Sequence, residues 1–175
     1  MSRTPPSRAK EGFAHESQQN LTIDWYTPSW IFDFLGLEFG LDPCAPEGGV
    51  PWIPATYHYS LKDNGLIQPW HNHIVWLNPP YGKETPDWLC RMNQHRKGIA
   101  IVFARTDCAW FHDYAANADA IYFIKGRVNF VDIFGKTGGT GTGSGSMLLA
   151  WGEESIQALC RFELLKPGKL FLCQS

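Results

Sequence analysis

Ile74-Val75-Trp76-Leu77-Asn78-Pro79-Pro80-Tyr81-Gly82 is the stretch on which the reading of this chain turns. Residues 74–77 form a short apolar run with two β-branched members, the pattern of a buried strand. Asn78 ends the run. Two prolines then stop the ladder, because neither carries an N–H to donate. Pro80 also pushes Pro79 into an extended conformation. A stiff backbone therefore leaves a strand end and presents an amide, a free carbonyl and an aromatic ring in one place.

That combination suits the chemistry of an amine on a nucleobase. Such an amine is a poor nucleophile, since its lone pair is delocalised into the ring. The Asn78 side-chain oxygen and the Pro79 carbonyl are uncharged acceptors. Aimed at the two N–H bonds, they would draw the nitrogen towards tetrahedral geometry and turn its lone pair to an electrophile. Tyr81 would stack on the base, an interaction worth roughly 1–3 kcal/mol. A methylated ammonium sheds its proton readily, so positioning and electrostatics would carry the catalysis. The plainer alternative is a rigid Pro-Pro turn with Tyr81 in the core.

The chain has 175 residues, enough for one domain with a full core. A net charge of −2 announces no global basic field, so a nucleic-acid partner would need a local basic patch. The 5 Cys are dispersed without a CxxC pair, which disfavours a disulfide framework or a structural zinc site and implies no metal. With no long apolar stretch or signal peptide, the reading is a soluble cytoplasmic protein, away from membranes, monomeric or weakly dimeric.

Residues 1–20 are polar, with Pro5-Pro6 and three basic side chains, and read as a flexible tail ahead of a single domain over 21–175. Thr27 is placed to cap a helix with Pro28 at its first position, and Trp30, Ile31, Phe34 and Leu35 give that helix one apolar face. Phe39-Gly40-Leu41 is a short strand running into Asp42-Pro43, and residues 56–60 alternate as another. Only 20 residues separate Asp42 from Asp63. A full helix, strand and second helix do not fit there, so the fold is abbreviated.

Thr85-Pro86 opens a helix to about Arg96, and residues 99–103 make the next buried strand. A helix followed by a β-branched strand is βαβ grammar and implies a parallel sheet. Arg105 then sits on the same rim as Asn78, where it would contact a phosphate or the base, or pair with Asp107 or Asp63. Asp107 or Thr106 is expected to cap a helix with Trp110, Phe111 and Tyr114. Residues 119–124 read as a strand, Val128, Phe130 and Ile133 alternate roughly, and residues 135–145 are a Gly-rich flexible loop. Residues 146–151 return as a strand. Lys125, Arg127 and Lys136 supply a small basic edge for phosphates, or simply a solvated one. A helix over 154–162 and a strand over 170–173 close the chain.

Asn78-Pro79-Pro80-Tyr81 is the signature of amino-methyltransferases that use S-adenosylmethionine. The order of Trp25-Tyr26-Thr27-Pro28, Asp42-Pro43, Asp63-Asn64-Gly65-Leu66, Asn-Pro-Pro-Tyr, Arg105-Thr106-Asp107 with Trp110-Phe111-His112, Gly126-Arg127 with Phe130, and Ser146-Met147-Leu148 resembles the phage-type DNA adenine-N6 methyltransferases. The resemblance covers about residues 24–151. It implies an α/β, abbreviated Rossmann-like sheet, mostly parallel with a C-terminal antiparallel hairpin. It implies double-stranded DNA as substrate and an adenine flipped out of it onto Tyr81. Tyr26, Thr27 and Pro28 would form a lid over the cofactor. Asp42, with Pro43, would face the cofactor's ammonium, and Asp63 would accept from its adenine amino group. The usual ribose-binding carboxylate has no clear counterpart, Glu47 being the nearest. Cytosine N4, a protein glutamine amide, or an inactive nucleic-acid-binding module remain alternatives on the motif alone.

Overall fold

The computed structural model describes residues 25–138 and 143–173. The tail expected over 1–20 and the middle of the Gly-rich loop lie outside the described residues. Seven strands form one sheet: β1 (Phe39–Asp42), β2 (Ala55–His58), β3 (Val75–Leu77), β4 (Gly98–Phe103), β5 (Ala120–Ile124), β6 (Ser146–Trp151) and β7 (Gly168–Leu172), in the order β2-β1-β3-β4-β6-β5-β7. The pairings β1–β2, β1–β3 and β3–β4 are parallel. Those of β4–β6, β5–β6 and β5–β7 are antiparallel. The expected α/β sheet is present, parallel in its N-terminal strands and antiparallel in its C-terminal part, where three antiparallel pairings, the last to β7, balance the three parallel ones.

Four α-helices cover the two faces: α1 (Ser29–Leu35), α2 (Thr85–His95), α3 (Ala109–Asp113) and α4 (Glu153–Leu165). Side chains alternate across β3 because strand residues point to opposite faces. Trp76 enters the layer under α1 and α4 with Ile31, Leu35, Leu159 and Phe162. Val75 and Leu77 enter the layer under α2 with Trp88, Leu89 and Met92. A sheet covered on both faces needs apolar residues at every position, which is why β3, β4 and β6 read as continuous apolar runs. No helix lies between β1 and β2, as the short span requires. Among the described residues, no helix is long and apolar enough to cross a membrane.

The sequence reading needs correction at three places. Pro28, not Thr27, is the N-cap of α1, and no side chain caps that end. The Thr27 carbonyl instead accepts from the Trp52 indole at 2.8 Å, so a tertiary bond overrides the local capping preference. Neither Thr106 nor Asp107 caps α3, where Cys108 holds the N-cap position without a side-chain bond. The alternating stretch around Val128 and Phe130 forms no strand, and only Val131 makes bridges, to Tyr26 and to Thr137. There is also a bulge that alternation does not reveal. The N–H groups of Gly40 and Leu41 both reach the Ile74 carbonyl, at 2.8 and 3.4 Å. Phe39 and Leu41, two residues apart, consequently pack on opposite faces.

This topology gathers the rim. In open α/β sheets, ligands sit beyond the carboxyl ends of the parallel strands. β1, β2, β3 and β4 all end on one side. β4 and β5 are each antiparallel to β6, so β5 also ends there and β6 begins there. Asp42, the turn after His58, Asn78, Phe103, Lys125 and Ser146 therefore share one rim.

Candidate active site

Asn78 follows directly on β3, with its side chain half enclosed. Its Nδ2 donates to the Trp25 carbonyl at 3.3 Å, across 53 positions of sequence. Its Oδ1 is buried and has no hydrogen-bond partner. A buried acceptor left without a donor costs about 1–3 kcal/mol. Among the described residues, no donor reaches the Pro79 carbonyl either. Two neighbouring acceptors are thus held in place and unused. The chain around them is locked: the Thr85 hydroxyl donates to the Pro80 carbonyl at 2.9 Å and accepts from the Gly82 N–H at 3.2 Å.

Tyr81 lies on this rim with 41% of its surface exposed. One face of its ring stacks on Phe103, with centroids 4.0 Å apart and planes 15° apart. Phe130 meets it edge-on at 6.3 Å. Such a stack adds about 0.5–1.5 kcal/mol beyond area burial and fixes the ring plane. Desolvation pushes the Tyr81 phenol well above its ordinary range, so it stays protonated at any working pH. The sequence reading places Phe103 at the end of a strand and Phe130 in an alternating stretch, but gives neither a role at the site. The signal that would have found Phe103 is its place at the end of β4, the neighbour of β3 in the sheet.

Asp42 ends β1 and is almost fully buried. Its Oδ1 accepts from the Cys44 N–H at 3.0 Å. Desolvation raises its pKa from 3.8 to about 7, partly offset by that bond. The Cys44 thiol is raised well above its usual range by burial, then by the charges of Asp42 and Glu84.

Asp63 lies in an exposed turn. Its Oδ2 accepts from the Ser60 N–H at 2.8 Å and the Ser60 hydroxyl at 2.7 Å, which together hold its pKa below the usual value. Both donors use Oδ2, so the turn leaves the acceptor capacity of Oδ1 unspent. Gly65, two residues on, packs against the first turn. A Cβ there would sit 2.2 Å from the Pro43 carbonyl, so the close approach requires glycine. Glu47 is paired with Lys62 at 2.5 Å, both exposed, a further tie between the two turns. The expected cofactor residues Asp42, Pro43 and Asp63 are therefore brought together, with Glu47 beside them.

Tyr26 is half-buried and bridges to Val131, while Thr27 and Pro28 are buried. The Thr27 hydroxyl is a second enclosed polar group without a partner. Ser146, at the start of β6 opposite Phe103, is a third. Arg105, Lys125, Arg127 and Lys136 are all exposed. Arg105 follows β4 and Lys125 follows β5, both on the rim, whereas Lys136 lies farther along the connection to β6.

A family model described as DNA N-6-adenine-methyltransferase (Dam) matches residues 15–167. The chain belongs to this family. Dam-family enzymes transfer a methyl group from S-adenosylmethionine to the N6 amine of adenine in DNA. That assignment selects adenine over the cytosine and glutamine amines that the Asn-Pro-Pro-Tyr motif alone leaves open. No curated protein and no solved structure matches the chain. One group on the rim is chemically compatible with the Dam cofactor. Asp42 is an enclosed carboxyl with no cationic partner among the described residues, and the cofactor carries an ammonium.

Proposed function

We propose that this Dam-family chain methylates an adenine swung out of the duplex, with Asn78, Pro79 and Tyr81 as the groups that hold it. The observation that carries this reading is the pair of unused acceptors, Asn78 Oδ1 and the Pro79 carbonyl. An N6 amine has two N–H donors and fits both. Neither acceptor is charged, so the amine is oriented without being over-stabilised in its ground state. The free face of Tyr81 receives the base, and Phe103 behind it keeps the ring from turning. Pro80 and Thr85 hold the backbone that aims the Pro79 carbonyl.

S-adenosylmethionine, when bound, supplies an electron-poor methyl group. Asp42 would hold its ammonium, with Pro43 shaping the turn, and Asp63 would accept from its adenine amino group. Tyr26, Thr27 and Pro28 would close over it. The Asn78 amide donates to the Trp25 carbonyl, so this segment is tied to the residue that carries the acceptor. Arg105, Lys125, Arg127 and Lys136 would meet phosphates of the DNA, each adding to the salt dependence of binding.

The test is Asn78→Ala beside Tyr81→Ala, on DNA followed by mass spectrometry of N6-methyladenine. The expected result is a fall in kcat of about 10²- to 10³-fold for Asn78→Ala, as for loss of one oriented polar group at a reacting centre. Cofactor affinity measured by calorimetry should stay close to that of the parent for both variants. Full activity in Asn78→Ala would refute the assigned role.

A further inference from the structure

A cleft of about 230 Å³ opens between the last turns of α2 and the segment that leads into β3. Trp70, His71, Arg91, Gln94 and His95 line it. β3 and β4 start at this end of the sheet, so the cleft lies away from the active rim. The 11 residues of α2, a rise of about 16 Å, carry the chain from one end to the other. Nothing in the reaction described so far uses this region.

The charges here are of one sign. The Arg91 guanidinium lies over the Trp70 ring, 5.1 Å from its centroid, and its Nη2 donates to the Gln68 carbonyl at 2.8 Å. Those two contacts fix its plane. Its Nε is enclosed and has no hydrogen-bond partner. Among the described residues Arg91 forms no ion pair, although Asp87 stands one turn before it on α2. His95 meets Trp70 edge-on at 5.4 Å, and its Nε2 donates to the His73 carbonyl at 2.8 Å. Burial lowers the His95 pKa, and the charges of Arg91, Lys97 and His73 lower it further, against that hydrogen bond. His71 holds a φ of +46°, a left-handed conformation uncommon outside glycine. No carboxylate lines the cleft. A recess walled by like charges focuses its field on whatever enters.

We propose that this cleft is a second binding site, built for a phosphate group. Donors stand on two walls, Arg91 and the Gln94 amide on α2 and His71 on the facing segment. Tetrahedral phosphate accepts from both sides at once, and the flat guanidinium fork matches two of its oxygens. Its arrival supplies the counter-charge that Arg91 lacks. Free phosphate and a DNA backbone both carry the group, and the experiment separates them.

Inorganic phosphate is titrated into the full chain at constant ionic strength, followed by calorimetry and by NMR of the His95 ring. Binding should saturate at one site, and the His95 pKa should rise, because a neighbouring anion favours the imidazolium. Gln94 is exposed, so its replacement leaves the packing intact. Gln94→Glu should weaken phosphate at least about tenfold by placing a like charge beside it. Gln94→Lys should tighten it by about threefold. Arg91→Lys keeps a charge but loses the fork, and should weaken binding several-fold. Thermal melts check that each variant is folded. A duplex of G·C pairs, which holds no target adenine, is then added. Release of the phosphate supports the site with the DNA backbone as its source, and retention supports it with free phosphate as its source. Phosphate that does not saturate, that leaves the His95 pKa unmoved, or that binds Gln94→Glu and Gln94→Lys alike overturns the site.

Discussion

The turn that carries Asp42 and the turn that carries Asp63 touch through Gly65 and Pro43, yet they place the same side chain in opposite settings. Asp42 is enclosed, accepts one backbone N–H, and is pushed up to about 7 by desolvation. Asp63 is exposed, accepts two donors from Ser60, and is held below the ordinary carboxylate value by them. The difference separates two ways a carboxylate serves a ligand. A desolvated carboxylate with too few donors gains most from an arriving cation. A solvated one whose charge is already satisfied gains little from a further contact and serves mainly to discriminate partners. If both face the cofactor, Asp42 supplies affinity and pH dependence, and Asp63 supplies selectivity for an amino group.

Asp42→Asn tests the stronger half. Asparagine keeps an acceptor for the Cys44 N–H and removes the charge. Cofactor affinity should fall by about 10- to 100-fold, the loss expected when an enclosed charge pair becomes neutral. Stability should move the other way. The folded-state pKa lies above 3.8, so between about 4 and 7 the unfolded chain ionises first and the fold is progressively destabilised. At three pKa units this amounts to about 4 kcal/mol, complete above pH 7. Urea melts without cofactor should show the parent losing stability from pH 5 to 8 while Asp42→Asn stays level. Parent cofactor affinity should in turn rise with pH towards 7, as Asp42 ionises. An Asp42→Asn chain that binds cofactor as the parent does would break the comparison at its root.

Gly65→Ala tests whether the contact between the two turns matters. A methyl group 2.2 Å from the Pro43 carbonyl cannot be accommodated without moving one turn. Destabilisation of about 1–3 kcal/mol is expected, as for other overpacked sites. Cofactor affinity should drop about tenfold, because a displaced turn no longer presents both carboxylates together. The Trp70 indole, which donates to the Gly65 carbonyl at 2.8 Å, gives a fluorescence report on the shift. Unchanged affinity together with lowered stability would make the contact structural only.

Much of this arrangement was readable in the sequence, and the reasons differ by element. The β3–α2–β4 unit could be seen because an apolar run, two prolines and a glycine punctuate it locally. Asp42 could be located because it closes the strand β1 before a turn, and Asp63 because its place before Asn78 resembles the family pattern. What local sequence could not carry was contact across the sheet. Phe103 and Phe130 reach Tyr81 only once β4 lies beside β3 and the β5–β6 connection folds back. The Trp25 carbonyl meets Asn78 from 53 positions away. Thr27 and Asp107 looked like helix caps because their types favour it, but the Trp52 indole and the turn at Cys108 decided otherwise. The reversal of faces between Phe39 and Leu41 depends on two N–H groups sharing one carbonyl, which no periodicity in four residues reveals.

Asp63→Asn is the gentlest probe and the one that sharpens the contrast most. The asparagine oxygen can take over both Ser60 bonds, so the turn should keep its shape. The remaining position is then an NH2 group instead of an acceptor oxygen. Facing the amino group of the cofactor's adenine, it offers a donor to a donor. The cofactor KM should rise by about 3- to 10-fold with kcat unchanged, the effect of losing one exposed hydrogen bond. The pH profile is the discriminating readout. Because Ser60 holds the Asp63 pKa below the ordinary value, the parent carboxylate stays ionised from pH 6 to 8. Asp63→Asn should therefore scale the cofactor KM equally across that window, while Asp42→Asn should flatten its pH dependence. A tilt in the Asp63→Asn profile as large as that lost in Asp42→Asn would mean that the exposed turn, not the enclosed one, governs the charge of the site.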